Sequence, residues 1–181
     1  GLEFVVNPSV LIPRQETEHL VDTVVSRYEN RPHQEPAVAD VGTGSGAIAI
    51  AIASRLTRGT VYATDSSREA LLVADINRRR QGVTNQVHLI RCDLLAALRV
   101  PVDVIVSNPP YLTEEELSRV QPEIHREPRR ALDGGTNGLD VTDRLIREAP
   151  AHLRPGGLLL VEIAPAQVKA VAEIARKVGR D

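Results

Sequence analysis

Two short runs carry residues whose types and spacing can do chemistry. The first is Asp40-Val41-Gly42-Thr43-Gly44-Ser45-Gly46, where glycine recurs at every second position after an acid. Glycines let the main chain turn tightly and let a ligand approach it. A helix starting directly behind them offers free N–H groups. Two more acids, Asp65 and Asp93, follow short apolar runs further along. The second run is Ser107-Asn108-Pro109-Pro110-Tyr111. Its prolines fix the backbone, remove two donors and leave carbonyls free to accept. A planar NH2 group has two donors, and the Asn108 side-chain oxygen and the Pro109 carbonyl can take one each. That holds the nitrogen and turns its lone pair towards an incoming electrophile, with Tyr111 able to pack on the planar group. Alkyl transfer to a poorly nucleophilic amide or amino nitrogen needs this alignment. It gains from hydrogen bonds that strengthen as positive charge develops on nitrogen.

The first run, with Asp65, also satisfies a nucleotide-binding pattern. Gly42, Gly44 and Ala47 fit G-x-G-x-x-G/A, and Asp65 stands near where a ribose-binding acid belongs. Charge separates two ligands that share this pattern. A dinucleotide pyrophosphate is an anion, which Asp40 would repel; S-adenosyl-L-methionine carries an ammonium and a sulfonium, which Asp40 would attract. Asp65 can accept from both ribose hydroxyls and Asp93 from the adenine amino group. The expected cofactor is therefore S-adenosyl-L-methionine, held by Asp40, Gly42, Thr43, Gly44, Ser45, Gly46, Asp65 and Asp93, with Asn108 bordering it. Each feature alone has a plainer account, a tight turn or a helix-capping acid. The recurrence of acids at three successive strand ends favours the site.

The elements that must position these runs alternate strand and helix. Leu2 to Ile12 reads as an extended segment broken by Asn7-Pro8, and the pattern is helical from Pro13 to about Tyr28, with Leu20, Val21, Val24 and Val25 inward. Residues 30–36 read as a loop. Strands are expected at Ala37–Val41, Thr60–Thr64, Gln86–Arg91, Val102–Ser107 and Leu158–Ile163, the last after a Pro155-Gly156-Gly157 turn. Helices are expected at Ala47–Leu56, then after a Ser66 or Ser67 cap with Leu71, Leu72 and Ile76 on the buried face, then from about Gly138 to His152 and from Ala166 to Val178. Strands separated by helices of this length imply an α/β fold with a mostly parallel sheet. Residues 1–36 form a lead-in and 37–181 the catalytic domain.

In these runs the chain resembles the HemK/PrmC-type protein-(glutamine-N5) methyltransferases, which modify the glutamine of the Gly-Gly-Gln loop in peptide-chain release factors. The resemblance covers nearly all 181 residues. It includes Leu11-Ile12-Pro13-Arg14-Gln15-Glu16-Thr17-Glu18, Asp40 to Gly46 and Asn108 to Tyr111. It continues through Glu127-Pro128, Ala131-Leu132, Gly134-Gly135, Glu162 and Gln167. The Asn-Pro-Pro-Tyr tetrapeptide is shared with other amino-methyltransferases; the run around Arg14 discriminates better. The chain departs from the family at Gln15, where Pro is usual, and at Ala164, where Gly is usual. The resemblance implies a Rossmann-like methyltransferase fold with helices on both sheet faces. It implies catalysis by Asn108, Pro109, Pro110 and Tyr111, and adds Leu94 to the adenine pocket. It implies a release-factor substrate, and a helical region before and a strand pair after this segment. A Gly start and no Met fit a piece of a longer protein.

Composition narrows the classes. Hydrophobic residues at 42% and charged at 25% suit a globular domain, and a net charge of −2 gives no overall attraction to nucleic acid or anionic membrane. Neither nucleic acid nor membrane is an expected partner, and the expected location is cytoplasmic. Cys92 is the sole cysteine and reads as a small strand-end residue. His19, His33, His88, His125 and His152 lack metal-ligand spacing, and no metal is expected. Arg14, Glu16 and Glu18 can position an acceptor loop or simply complement a helix start. Arg126, Arg129 and Arg130 form a small basic cluster near the motif, able to contact a partner but read first as a solvated loop. Three alternatives stay open: an amino-methyltransferase acting on a DNA or RNA base, which needs base flipping; an NAD-dependent oxidoreductase, which leaves Asn-Pro-Pro-Tyr idle; and a non-catalytic scaffold.

Overall fold

The computed structural model describes residues 1–31, 33–119 and 127–179. Five strands, β1 (Ala37–Val41), β2 (Thr60–Asp65), β3 (Val87–Arg91), β4 (Val102–Ser107) and β5 (Leu153–Val161), form one sheet in the order β3-β2-β1-β4-β5. Every pairing is parallel. The chain leaves β1 for the β2–β3 side and returns to lay β4 on the other edge of β1. The reversal point of the sheet thus falls between β1 and β4, the two strands that end in the glycine run and in Asn108. Open α/β sheets bind ligands at such a point, outside the carboxyl ends of the strands.

Period-two alternation drives both faces inward. Val38, Val104 and Val106 pack on one side with Val21, Val24 and Val25 of α1 (Glu18–Tyr28) and Ile48, Ile50 and Ile52 of α2 (Ala47–Arg55). Ala39, Val41 and Ile105 pack on the other with Leu95, Leu98 and Leu145, the last on α5 (Asp140–Glu148). Helices cover both faces, as the strand–helix alternation requires. The remaining helices are α3 (Arg68–Arg80), the single turn α4 (Glu114–Leu117) and α6 (Val168–Val178), which buries no residue.

Two expectations are corrected. Leu72 and Ile76 of α3 are exposed at 52% and 48%, while Ala70, Val73, Ala74 and Asn77 are buried. The helix turns its small residues inward because it lies close against the glycine run: a Cβ added to Gly46 would stand 3.2 Å from Ala74 Cβ. Asn77 is the second reason. Its Oδ1 accepts from Val5 N at 2.7 Å, and its Nδ2 donates to Val5 O and Ser45 O. A single buried amide therefore pins the N-terminal segment to the glycine run. The second correction is Pro155-Gly156-Gly157, which lies within β5: the strand starts at Leu153 and absorbs the glycines as an irregularity opposite Val102–Val104. Bulges of this kind are where sheets tolerate such residues.

Candidate active site

The glycine run is shaped by backbone groups from the neighbouring strand. Gly42 N and Thr43 N both donate to Thr64 O at 2.9 Å. Gly42, Gly44 and Gly46 all have positive φ, which glycine alone adopts freely. Their roles differ. A Cβ on Gly46 would meet Ile50 Cδ1 at 2.9 Å, so Gly46 is small for packing. A Cβ on Gly42 or Gly44 would meet nothing within 4 Å. Both line a cleft at the strand ends, so they leave open space beside bare backbone.

Asp65 closes that cleft at the end of β2. Its Oδ2 accepts from Gly44 N at 2.9 Å and its Oδ1 from Ser67 N at 2.8 Å. Each oxygen keeps a lone pair, which suits two vicinal hydroxyls. Ser67 Oγ caps α3 by accepting from Ala70 N. Asp93 lies across the cleft at the end of the β3 run, paired with Arg144 of α5 at 2.5 Å. Leu94 beside it holds φ 44, a costly conformation for a non-glycine residue. It is secured by Thr64 Oγ1, which donates to Leu94 O at 2.9 Å. Leu94 lines the cleft and also packs on the second core cluster.

Asn108 enters the same cleft from β4, and Pro110 with it. The two strand ends are tied by Ser107 Oγ, which donates to Val41 O at 2.7 Å. Asn108 Nδ2 donates to Thr17 Oγ1 at 3.1 Å, and Thr17 Oγ1 donates to Glu162 Oε2 at 2.9 Å. Among the described residues no donor reaches Asn108 Oδ1. Pro109 is buried, and Tyr111 is partly buried. The Tyr111 phenol is pushed up by burial and by the Glu162 charge, with a smaller opposing pull from Arg14. Its carbonyl accepts from Gln167 Nε2 at 3.0 Å, and the same nitrogen donates to Gly138 O. Arg14 lines the cleft and pairs with the buried Glu127 at 2.6 Å; Glu16 and Glu18 are exposed.

The structure therefore brings Gly42, Thr43, Gly44, Ser45, Asp65, Asp93, Leu94, Asn108 and Pro110 to one cleft. Gly46, Pro109 and Tyr111 stand behind or beside it. Asp40 is corrected. It is fully buried behind the run, where Oδ2 accepts from Thr43 Oγ1 at 2.6 Å and from Ala49 N at 3.1 Å. It shapes the turn from behind and presents no surface to the cleft. Burial raises its pKa from 3.8 to about 7, so it also carries less charge at neutral pH than its position in the sequence suggests. Arg130 is exposed, as the solvated reading expects, and it also lines the cleft and donates to Ser67 Oγ. Arg129 remains a surface partner of Asp133, and Arg126 and His125 lie outside the described residues. Arg144 is not separable from an ordinary helix residue by pattern, and Thr17, though within the run around Arg14, has no role assigned there, because only the tertiary fold places them on the cleft.

An all-parallel sheet with an open glycine turn and an acid at the end of the next strand defines a Rossmann-like ligand-binding domain. The chain belongs to the methyltransferase small domain family, whose model matches residues 15–137. It is 48% identical over 180 residues to the release factor glutamine methyltransferase of Moorella thermoacetica, covering 99% of this chain and 63% of that protein. It is 44% identical to the protein of the same name from Gloeobacter violaceus, with the same coverage. The chain thus spans about 63% of the length of these relatives. Similar folds include the ribosomal protein L11 methylase of Lactobacillus delbrueckii subsp. bulgaricus. Its TM-score is 0.67 at 24% identity, covering 93% of this chain and 71% of that one. Another is the N-terminal domain of human METTL16 in complex with SAH, with a TM-score of 0.69 at 17% identity, covering 98% and 67%. Among the described residues no helix is long and apolar enough to cross a membrane, and no group of three or more His, Cys, Asp or Glu could hold a metal ion.

Proposed function

We propose that this chain is the catalytic part of a protein-(glutamine-N5) methyltransferase that uses S-adenosyl-L-methionine and acts on the Gly-Gly-Gln loop of peptide-chain release factors. The observation that carries the reading is the Asn108 amide. It stands at the strand-reversal cleft with its Nδ2 committed to Thr17 and its oxygen left to accept. The 48% and 44% identity to proteins named for this reaction points the same way.

The cleft fits the cofactor by its own chemistry. Gly42 and Gly44 leave open space against backbone for its amino-acid part, Asp65 offers two free lone pairs to the ribose, and Leu94 and Asp93 border the base. Three arginines also line the cleft, but each is engaged: Arg14 with Glu127, Arg130 with Ser67, Arg144 with Asp93. When bound, S-adenosyl-L-methionine supplies an electrophilic methyl carbon. The protein's own part is orientation. Asn108 Oδ1 and the Pro109 carbonyl accept the two N–H bonds of the glutamine amide, and Tyr111 lies alongside. These acceptors stabilise nitrogen most when it gains positive charge, so their effect falls on the transition state. Release factor and cytoplasmic location complete the proposal.

The test is single-turnover methylation of a release factor by the full-length protein. Asn108→Ala is expected to lower the rate about a hundredfold to a thousandfold, the loss that follows removal of one preorganised group. Affinity for S-adenosylhomocysteine should stay near that of the parent. Turnover near the parent level would remove Asn108 from the reaction. Binding of NAD with no response to S-adenosylhomocysteine would overturn the cofactor assignment.

A further inference from the structure

We infer that Thr17 and Glu162 are positioning residues that fix which end of the Asn108 amide faces the acceptor; the inference rests on the glutamine methyltransferase reading. Three separate elements meet here: the 3-10 turn before α1 supplies Thr17, the end of β4 supplies Asn108, and the residue after β5 supplies Glu162. Backbone bonding locks two of them together, since Glu162 N donates to Ser107 O at 3.0 Å.

The polarity of the relay follows from what each group can do. An ionised carboxylate only accepts, so the single proton of the Thr17 hydroxyl is committed to Glu162 Oε2. The Thr17 oxygen then meets its other partner as an acceptor, and only the NH2 end of Asn108 can donate to it. The amide is thereby held with Oδ1 free. Reversed, the amide would present NH2 to the acceptor's own NH2, two donors face to face. An Asn side chain has no intrinsic preference between the two orientations, and its direction is set by its neighbours. Thr17 is buried, so water does not compete freely for its hydroxyl.

Glu162→Gln tests the polarity without changing size. The introduced amide can donate to Thr17, which frees the hydroxyl proton to point at Asn108 and lets its amide turn over. Single-turnover methylation by the full-length protein should fall about thirtyfold, mainly in kcat, with S-adenosylhomocysteine affinity and thermal stability close to the parent. Adding Asn108→Asp to that variant should recover part of the rate. In the double variant the glutamine at 162 donates to Thr17, Thr17 donates to the carboxylate at 108, and the second carboxylate oxygen faces the acceptor. A purely structural role for Glu162 predicts no such recovery. An undiminished rate for Glu162→Gln, or a double variant no faster than Glu162→Gln alone, overturns the relay. Should Glu162→Gln fail to fold, Thr17→Val against Thr17→Ser decides the same point. Loss in the first and recovery in the second support the relay; equal rates overturn it. No transfer by the parent protein to a glutamine acceptor overturns the functional reading, and the relay with it.

Discussion

Two carboxylates show how differently the same side chain is used within a few ångströms of the cleft. Asp65 keeps both oxygens partly free at the cleft surface. Asp65→Ala is expected to weaken S-adenosylhomocysteine binding by about 2 kcal/mol or more, measurable by calorimetry, because it removes acceptors and also releases Gly44 N and Ser67 N. Asp40 is sealed behind the loop, and the sign of its effect on stability is opposite to that of an ordinary ion-paired acid. Its folded pKa, about 7, lies above the unfolded 3.8, so the native state binds the proton more tightly. The stability it contributes is full below about pH 4 and is lost as pH rises towards 7, on the order of 4 kcal/mol in all. Asp40→Asn should flatten that slope. In urea unfolding the variant should compare better with the parent at about pH 8 than at about pH 5; an unchanged slope would place the titration elsewhere. That Asp65, Asp93 and Asn108 share one cleft was legible because each ends a strand or follows one within two residues, and strand ends gather at one edge. The burial of Asp40 was not legible. An acid before a glycine turn reads alike whether it faces a ligand or the helix behind, and only the Thr43 and Ala49 bonds decide.

Among the elements, the glycine run and α3 are best understood as a packed pair. The run's three glycines separate into two kinds, and substitution should separate them as well. Gly44→Ala meets no neighbour and pays only for its left-handed backbone, about 1–2 kcal/mol. Gly46→Ala adds a collision with Ile50 and Ala74 and should cost roughly twice that in chemical denaturation. On α3 the exposed Leu72→Ala should change stability by less than about 0.5 kcal/mol, whereas Val73→Ala should cost on the order of 1–2 kcal/mol. Equal costs for the two would restore the face that apolar periodicity suggests. Periodicity placed every strand within a residue or two except β5, and it found α1 with its inward valines. It failed on α3 because hydrophobicity is a weak guide where a helix must come close: small residues then win the buried face, and a polar Asn77 is buried with all its bonds satisfied. It failed on Pro155-Gly156-Gly157 because a turn and a bulge share their residues.

For the whole molecule, fold class followed from strand–helix alternation, but strand order did not, since a sequence lists strands without saying which side of the first each one joins. The order β3-β2-β1-β4-β5 has a consequence for how the molecule is assembled in time. β1 and β2 are joined by one helix and can pair as soon as both exist, whereas β4 reaches β1 only after the whole of β2, α3 and β3 has been set aside. Closing that longer loop costs more entropy and delays the contact. Amides of β2 and β3 should therefore gain protection before those of β4 and β5 in pulse-labelled hydrogen exchange during refolding, and simultaneous protection would refute the ordering. Nascent chains meet the same sequence of events. The segment through β3 holds a glycine turn and its acids beside an unfilled β1 edge, and the later arrival of β4 both caps that edge and delivers Asn108. The step that covers the β1 edge is thus also the one that brings Asn108 to the cleft, so a misfolded β4 would leave an exposed strand edge and an incomplete cleft at once.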